Sequence, residues 1–456
     1  MRILFDNRKV LMKYDKYKDS GTSWIGKVPA DWQKSRLKFL FIRSNAGVWG
    51  EEEKGDINDI ACFRIADFDY QEGCLCFDKL TMRNITPKEL DGRILTKGSL
   101  LIEKSGGGDV SPVGRVVRFN YDNKATCSNF IHFVTVNEEN NSDFLFYYFY
   151  AMYANKENLL YFNQTTGIQN LKIGEYLGQS IFLPTPEEQQ AIVAYLEEKC
   201  EKINANIKVQ KRKIDLFNEL KQTVITKTVT MGLDPQSAVK DSGVQWIGKI
   251  PIHWNVCRLK NYCSLKARIG WKGLRSDEFE ESSYAYLVTG QDFGNSKIDW
   301  SKCYQINKIR YNEDPYIQLE NGDLLITKDG TIGKIAIVDN LDKPACLNSG
   351  VFVLKQTKNV FDSNYLYWSL YSSLLKDFNT YTSTGTTILH LYQNVFENMP
   401  LLLPPLPEQK TIAAYLEKEV QRIDTHIIQA NKRIELLEEL KRSIITEAIT
   451  GKFKVI

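Results

Sequence analysis

A chain of 456 residues has room for two or three ordinary domains. Its hydrophobic share of 43% and charged share of 25% fit a folded globular protein and exclude general disorder. The 59 basic and 56 acidic side chains leave a formal charge of +3, so a polyanion would have to be met by basic groups clustered on one face, not by bulk charge.

Residues 1–18 are charged and lack an apolar core, so they do not read as a secretory leader. The greasiest run, 145–154, is too short to span a bilayer and reads as a buried helix, so no membrane association is expected. The nine Cys are odd in number, and Cys74 and Cys76 sit too close for paired zinc ligands; they read as reduced thiols of a cytoplasmic protein.

In chain order, the segment 1–32 carries Asp19-Ser20-Gly21, Trp24-Ile25-Gly26-Lys27, Pro29 and Trp32. A first domain, 33–182, follows. Lys34, Arg36, Lys38, Phe39, Phe41 and Arg43 interleave charge and aromatic rings near its start, a pattern that suits phosphate contact or a solvated face. Leu100-Leu101-Ile102, Val113 to Phe119 and Ile131 to Val136 read as strands, and the aromatic run 143–153 as a helix. Lys104-Ser105-Gly106-Gly107-Gly108 reads as a Gly-rich turn: either an ordinary hairpin or a loop that brings backbone N–H groups and an ammonium to a phosphate.

Pro186-Glu187-Glu188 then opens a long helix within 183–232, with proline tolerated and carboxylates favoured in the first turn. Ile192, Leu196, Ile203, Ile207, Ile214, Phe217, Leu220 and Val224 recur in steps of three and four, and nothing breaks the run before Gly232. At 1.5 Å per residue this is a rod of roughly 65 Å.

The linker 233–254 repeats the opening segment 222 residues later: Asp241-Ser242-Gly243, Trp246-Ile247-Gly248-Lys249, Pro251 and Trp254. Both Trp pairs read as packing anchors where domain meets helix. A second domain, 255–402, has strands expected at Leu324-Leu325-Ile326, Ile335 to Val338 and Val351 to Leu354, and a helix over 363–375. Its basic and aromatic run is Arg258, Lys260, Lys266, Arg268, Trp271 and Lys272; its Gly-rich turn is Lys328-Asp329-Gly330-Thr331-Ile332-Gly333. The segment 403–456 copies the first helix at an offset of 220, with Pro407-Glu408 at the start, Ile412, Leu416, Ile423, Ile427, Ile434, Leu437, Leu440 and Ile444 as the stripe, and Gly451 at the end.

Between the repeated blocks the halves diverge. Lys104 aligns with Lys328, Cys127 and Asn129 with Cys346 and Asn348, and Thr166-Gly167 with Thr384-Gly385. The expected fold class is α+β: two domains with mixed, curled sheets joined by two long helices in a pseudo-two-fold repeat. A lone helix with one apolar stripe needs a partner, and its own antiparallel copy is at hand, with residues Ile203, Ile207, Ile214 and Phe217 facing Ile423, Ile427, Ile434 and Leu437. An intermolecular coiled coil and separate docking of each helix remain alternatives.

Catalytic signatures are missing. Asp314-Pro315-Tyr316 lacks the second proline of an adenine-methyltransferase motif, and Gly330 to Lys334 is too short for a Walker loop. His132, His253, His390 and His426 show no metal or triad spacing, so neither a catalytic residue nor a metal site is expected. The pattern is that of a reader without a catalyst.

The duplicated Trp-Ile-Gly-Lys-x-Pro-x-x-Trp blocks (Trp24 to Trp32, Trp246 to Trp254) and the Leu-Pro-x-x-x-Glu-Gln-x-x-Ile helix starts (Leu183 to Ile192, Leu403 to Ile412) resemble the specificity subunit of type I restriction-modification systems over essentially the whole chain. That resemblance implies two target-recognition domains, each reading one half of a bipartite, asymmetric double-stranded DNA site. It also implies helices that set the spacer and dock two methyltransferase subunits, with a restriction/translocase subunit as a further partner. S-adenosylmethionine, ATP and magnesium would belong to those partners, with no cofactor in this chain. A stand-alone DNA-binding regulator and a coiled-coil adaptor without DNA are the competing classes. The residues expected to contact DNA are Arg36, Lys38, Lys104, Ser105, Gln169 and Asn170 in the first domain, and Arg258, Lys260, Lys328, Thr331, Thr386 and His390 in the second.

Overall fold

The computed structural model describes residues 12–165, 167–268, 273–294, 296–382 and 391–455. The chain divides into two compact units, Met1–Lys211 with Asn431–Ile456, and Arg212–Ala430. Each unit therefore holds one α+β domain together with a stretch of both long helices.

The same plan recurs in both. In the first unit a four-stranded sheet has the order Val116–Arg118, Leu100–Glu103, Ile131–Val136, Phe41–Ala46, all antiparallel. In the second, Ile335–Ile337, Leu324–Thr327, Val351–Gln356 and Cys263–Ala267 follow the same order. The central strands Leu100–Glu103 and Leu324–Thr327 are buried along their whole length, which is why they read as unbroken apolar runs and not as alternation. Beside each sheet lies a parallel pair, Asp59–Phe63 with Ala125–Cys127 and Ala285–Val288 with Ala345–Leu347. Short ladders, Gln33–Arg36 with Ser180–Leu183 and Asn255–Arg258 with Pro400–Leu403, tie the start of each domain to its end just before a long helix.

The aromatic run of the first domain forms the helix Ser142–Ala154, capped by the Asn141 side chain. In the second domain the single expected helix is two, Ser363–Tyr371 and Ser373–Thr382, because Ser372 leaves the helical region at φ −67°, ψ 176°.

The long helices span Pro186–Met231 and Leu406–Ile449. Both end on a glycine in the left-handed region, Gly232 at φ 75° and Gly451 at φ 65°. Within the first unit they run antiparallel: Tyr195 meets Phe453 at 5.6 Å between ring centroids, and Asn204 meets the Lys441 ammonium at 2.9 Å. Ile203, Ile207 and Leu437 form a buried seam there, with Ile434 half-buried against it. Within the second unit Phe217 stacks on His426 at 5.4 Å, and the Lys221 ammonium lies 2.7 Å from Asp424. Ile423 is buried; Ile214, Phe217 and Ile427 are half-buried. Leu220 departs from the expected stripe and is 46% exposed. Lys221 takes the seam position instead, a placement that Asp424 makes tolerable by ion pairing.

The repeated Trp blocks pack at these joins. Trp32 is buried against Tyr14 and the helix end at Gly451, and the Tyr14 hydroxyl donates to Glu188. In the second unit the equivalent Trp254 is fully buried, and its Nε1 donates to Glu408 at 3.1 Å. Among the described residues no helix is long and apolar enough to cross a membrane.

Candidate nucleic-acid interface

One rim of each domain collects three chain segments as they leave the sheets, and it does so by matching backbone hydrogen bonds. The central strand exits into Lys104, whose N–H donates to Phe130 O at 2.9 Å; Lys328 donates to Gly350 O at 3.0 Å. One strand of the parallel pair exits into Ser128, donating to Phe63 O, and into Asn348, donating to Val288 O. The other exits into a tight turn closed by a buried aspartate: Asp67 accepts from Arg64 N at 2.7 Å, and Asp292 accepts from Thr289 N at 2.6 Å. These bonds correct the sequence alignment by one residue. Ser128, not Asn129, is the structural counterpart of Asn348, and Cys127 matches Leu347.

The Gly-rich turns differ between the domains. Ser105–Gly106 is not a turn but a strand edge, paired with Asn170 and Gln169 in a three-stranded sheet completed by Phe162–Thr165. Ser105 is buried and its hydroxyl donates to Asn170 Oδ1 at 2.7 Å. Gln169 is 2% exposed, and its side-chain oxygen accepts from Val113 N. The expectation that Gln169 faces DNA is therefore corrected: it braces the rim from inside, while Asn170 stands exposed. In the second domain Thr327 organises a compact loop: Thr327 N donates to Lys334 O, and its hydroxyl accepts from Lys334 N and donates to Thr331 O. Thr331 is exposed. Thr386 and His390 lie outside the described residues.

Electrostatics at the rim are simple. Lys104 is half-buried near His132, whose pKa is pushed down to about 4, first by burial and then by the Lys104 charge. Lys328 lies 3.6 Å from Asp329 and 5.6 Å from the centroid of the Phe352 ring.

The remaining basic candidates are elsewhere. Arg36 and Lys38 precede Phe41, which pairs with Val136, whereas Lys104 follows Glu103, which pairs with Ile131 at the other end of the same sheet. Arg258 and Lys260 likewise precede Cys263, paired with Gln356, while Lys328 follows Thr327, paired with Val351. The strand length separates each pair from its rim lysine by roughly 17 Å. Arg258 and Lys260 instead line an open groove of about 720 Å³ with Trp246, Phe378 and Tyr381.

Sequence reasoning missed the Arg64–Asp67 turn and its partner Thr289–Asp292. Only the aspartate is shared, four residues after the end of a buried strand in both. In the second domain that turn, with Gln291, Asn348, Thr331 and Lys334, borders a cleft of about 500 Å³. Among the described residues no cluster of His, Cys, Asp and Glu is suited to a metal ion.

Two copies of one scaffold with unlike side chains on the same rim define a duplicated recognition module. The family model for the type I restriction modification DNA specificity domain matches twice, over residues 29–214 and 251–436. The chain belongs to that family. It is 28% identical over 315 residues to the type I restriction enzyme MjaVIII specificity subunit of Methanocaldococcus jannaschii, covering 68% of this chain and 70% of the relative. A putative type I restriction enzyme MjaX specificity subunit from the same organism is 23% identical over 450 residues, 98% of this chain and 99% of the relative. A chain solved in work on complex assembly and conformational transition of the type I R-M system shares the fold, with TM-score 0.70 at 17% identity, covering 92% of this chain and 98% of that one.

Proposed function

We propose that this chain reads a two-part, asymmetric site on double-stranded DNA, each recognition domain taking one half. The paired helices fix the unread spacer and dock two methyltransferase subunits. The carrying observation is the division of labour along the sequence. The backbone bonds of the rim and the layout of the helix seam and the Trp joins recur in both units; the rim side chains differ. A symmetric pair of partners sees the same surface in each half, while the DNA meets two different ones.

The chain itself is non-catalytic in this reading. Methyl transfer from S-adenosylmethionine to a base turned out of the stack belongs to the modification partners, and ATP with magnesium to a restriction/translocase partner. Lys104 and Lys328 contact phosphate, which gives affinity and salt dependence without sequence information.

The test is to remove 208–214 and 428–434 together. Seven residues at 1.5 Å shorten the antiparallel pair by about 10 Å, the rise of roughly 3 base pairs. Methylated-base mapping in a host supplying the partner is expected to return the same half-sites with the spacer shortened by about that number. Altered half-sites with an unchanged spacer would sink the ruler. A gel shift by the isolated chain as tight and specific as with the partner would instead favour a stand-alone regulator.

A further inference from the structure

We infer that Arg64 is a specificity-determining residue that reads a guanine in the half-site of the first domain, with Asp67 as the group that aims it; this rests on the DNA-reading function proposed above. Asp67 is 8% exposed, and one of its oxygens is already fixed by the Arg64 backbone N–H at 2.7 Å. The same carboxylate takes two guanidinium donors, Nη2 at 2.9 Å and Nε at 3.4 Å. The Nε side of the fork is thus held by a buried anchor. Nη1 and the second N–H of Nη2, which together make the outer edge of the fork, have no further partner among the described residues, on a side chain that is 39% exposed.

A guanidinium edge of that kind matches the O6 and N7 acceptors that guanine shows in the major groove. An arginine free to swing would lose rotamer entropy on binding; one already clamped loses less. The turn sits at the rim. Ile65 Cδ1 comes within 3.8 Å of where a Cβ on Gly106 would lie, next to Lys104 and the exposed Asn170. The turn that carries the arginine therefore borders the strand edge that follows the lysine assigned to phosphate.

The second domain supplies the internal comparison. It keeps the turn and the buried Asp292 but replaces the arginine: the Thr289 N–H and hydroxyl occupy that carboxylate at 2.6 and 2.9 Å. The aspartate is thus a structural cap in both domains, Asp67 in the first and Asp292 in the second, and the arginine is present only in the first. An arginine there would regain the first domain's arrangement.

The experiment uses the full chain with its methyltransferase partner, assayed on the mapped duplex and on duplexes changed at one base pair. Arg64→Ala is expected to lose about ten- to a hundredfold discrimination at a single guanine of one half-site, leaving the other half-site and the spacer unchanged. Arg64→Lys keeps the charge but not the fork; it should show the same relaxation with the salt slope of binding unaltered. Thr289→Arg is expected to add a guanine preference in the other half-site. An unchanged motif in Arg64→Lys and Arg64→Ala, or an equal loss at every position with a shallower salt slope, overturns the assignment. A wild-type complex with no two-part motif would overturn the underlying reading instead, so the two failures are distinguishable.

Discussion

Gly232 and Gly451 close the two long helices at equivalent places, yet alanine is expected to be far worse at the second. Both glycines have positive φ, 75° and 65°, where an L side chain costs roughly 1–2 kcal/mol. Alanine recovers about 0.4–1 kcal/mol by restricting the unfolded chain. At Gly232 a Cβ would meet Trp254 Cζ2 at 3.2 Å and Glu408 Oε1 at 3.3 Å, contacts that shifts of a few tenths of an ångström relieve. The net cost there is about 1 kcal/mol. At Gly451 the Cβ would fall 2.5 Å from Pro29 Cδ and 3.1 Å from Trp32 Cη2. A proline ring does not flex away, and Trp32 is itself only 1% exposed. Overpacking of that sort adds about 1–3 kcal/mol, so Gly451→Ala is expected to cost about 3 kcal/mol. Native-state hydrogen exchange reads the two units separately, through Ile131–Val136 in the first and Val351–Gln356 in the second. Gly451→Ala should speed exchange in the first by about two powers of ten, and Gly232→Ala in the second by less than one. Equal effects would refute the claim that the Pro29–Trp32 wall, and not the backbone conformation, sets the cost.

Two further outcomes follow from buried groups of the first domain. His132 stays neutral in the folded state down to about pH 4, while in the unfolded chain it takes up a proton near 6.5. Acidification therefore favours unfolding across that window, by up to roughly 3 kcal/mol. His132→Gln should flatten the stability-versus-pH slope between 6.5 and 4, and an unchanged slope would remove His132 as its source. Glu103 is 1% exposed and is gripped by Arg115 at 2.8 and 3.2 Å, with the guanidinium stacked 3.7 Å from the Tyr70 ring centroid. Arg115→Ala should destabilise by about 3–5 kcal/mol by stranding a buried carboxylate, and adding Glu103→Leu should restore most of it in denaturant unfolding; a mild single effect with no rescue would contradict the pairing.

The long helices were legible in the sequence almost to the residue, because their caps and three-four periodicity are local signals. What local signals miss is long-range pairing. Ser105 and Gly106 look like a loop until Gln169 and Asn170 arrive from some 64 residues away to make them an edge strand. The same pairing buries Gln169, a residue whose chemistry alone suggested a base reader. Leu220 fits the apolar stripe on paper, but Lys221 takes the seam because Asp424 stands opposite. The rim turns were invisible for a different reason: Arg64-Ile65-Ala66-Asp67 and Thr289-Gly290-Gln291-Asp292 share a single letter. Their common shape is made by a carboxylate bonding a backbone N–H, which constrains one position in four.

That last point explains how the two domains diverge without loss of fold. The bonds that build each rim, Lys104 N to Phe130 O, Ser128 N to Phe63 O, and their counterparts at Lys328 and Asn348, are made by backbone atoms. They are indifferent to the side chains at those positions. Substitution of partly exposed side chains away from caps and buried networks costs within about 0.5 kcal/mol. Asn129, Gln291 and Thr331 are of that kind by exposure. Asp67 and Asp292, which cap the turns, are buried and unchanged. The helix seam and the Trp32 and Trp254 joins lack this freedom, since a lost methylene or an orphaned polar group there is felt by the packed core. On the proposed reading, target choice and stability are therefore carried by separate sets of residues in each unit, and a new DNA sequence would be adopted at the rim without retuning the scaffold that presents it.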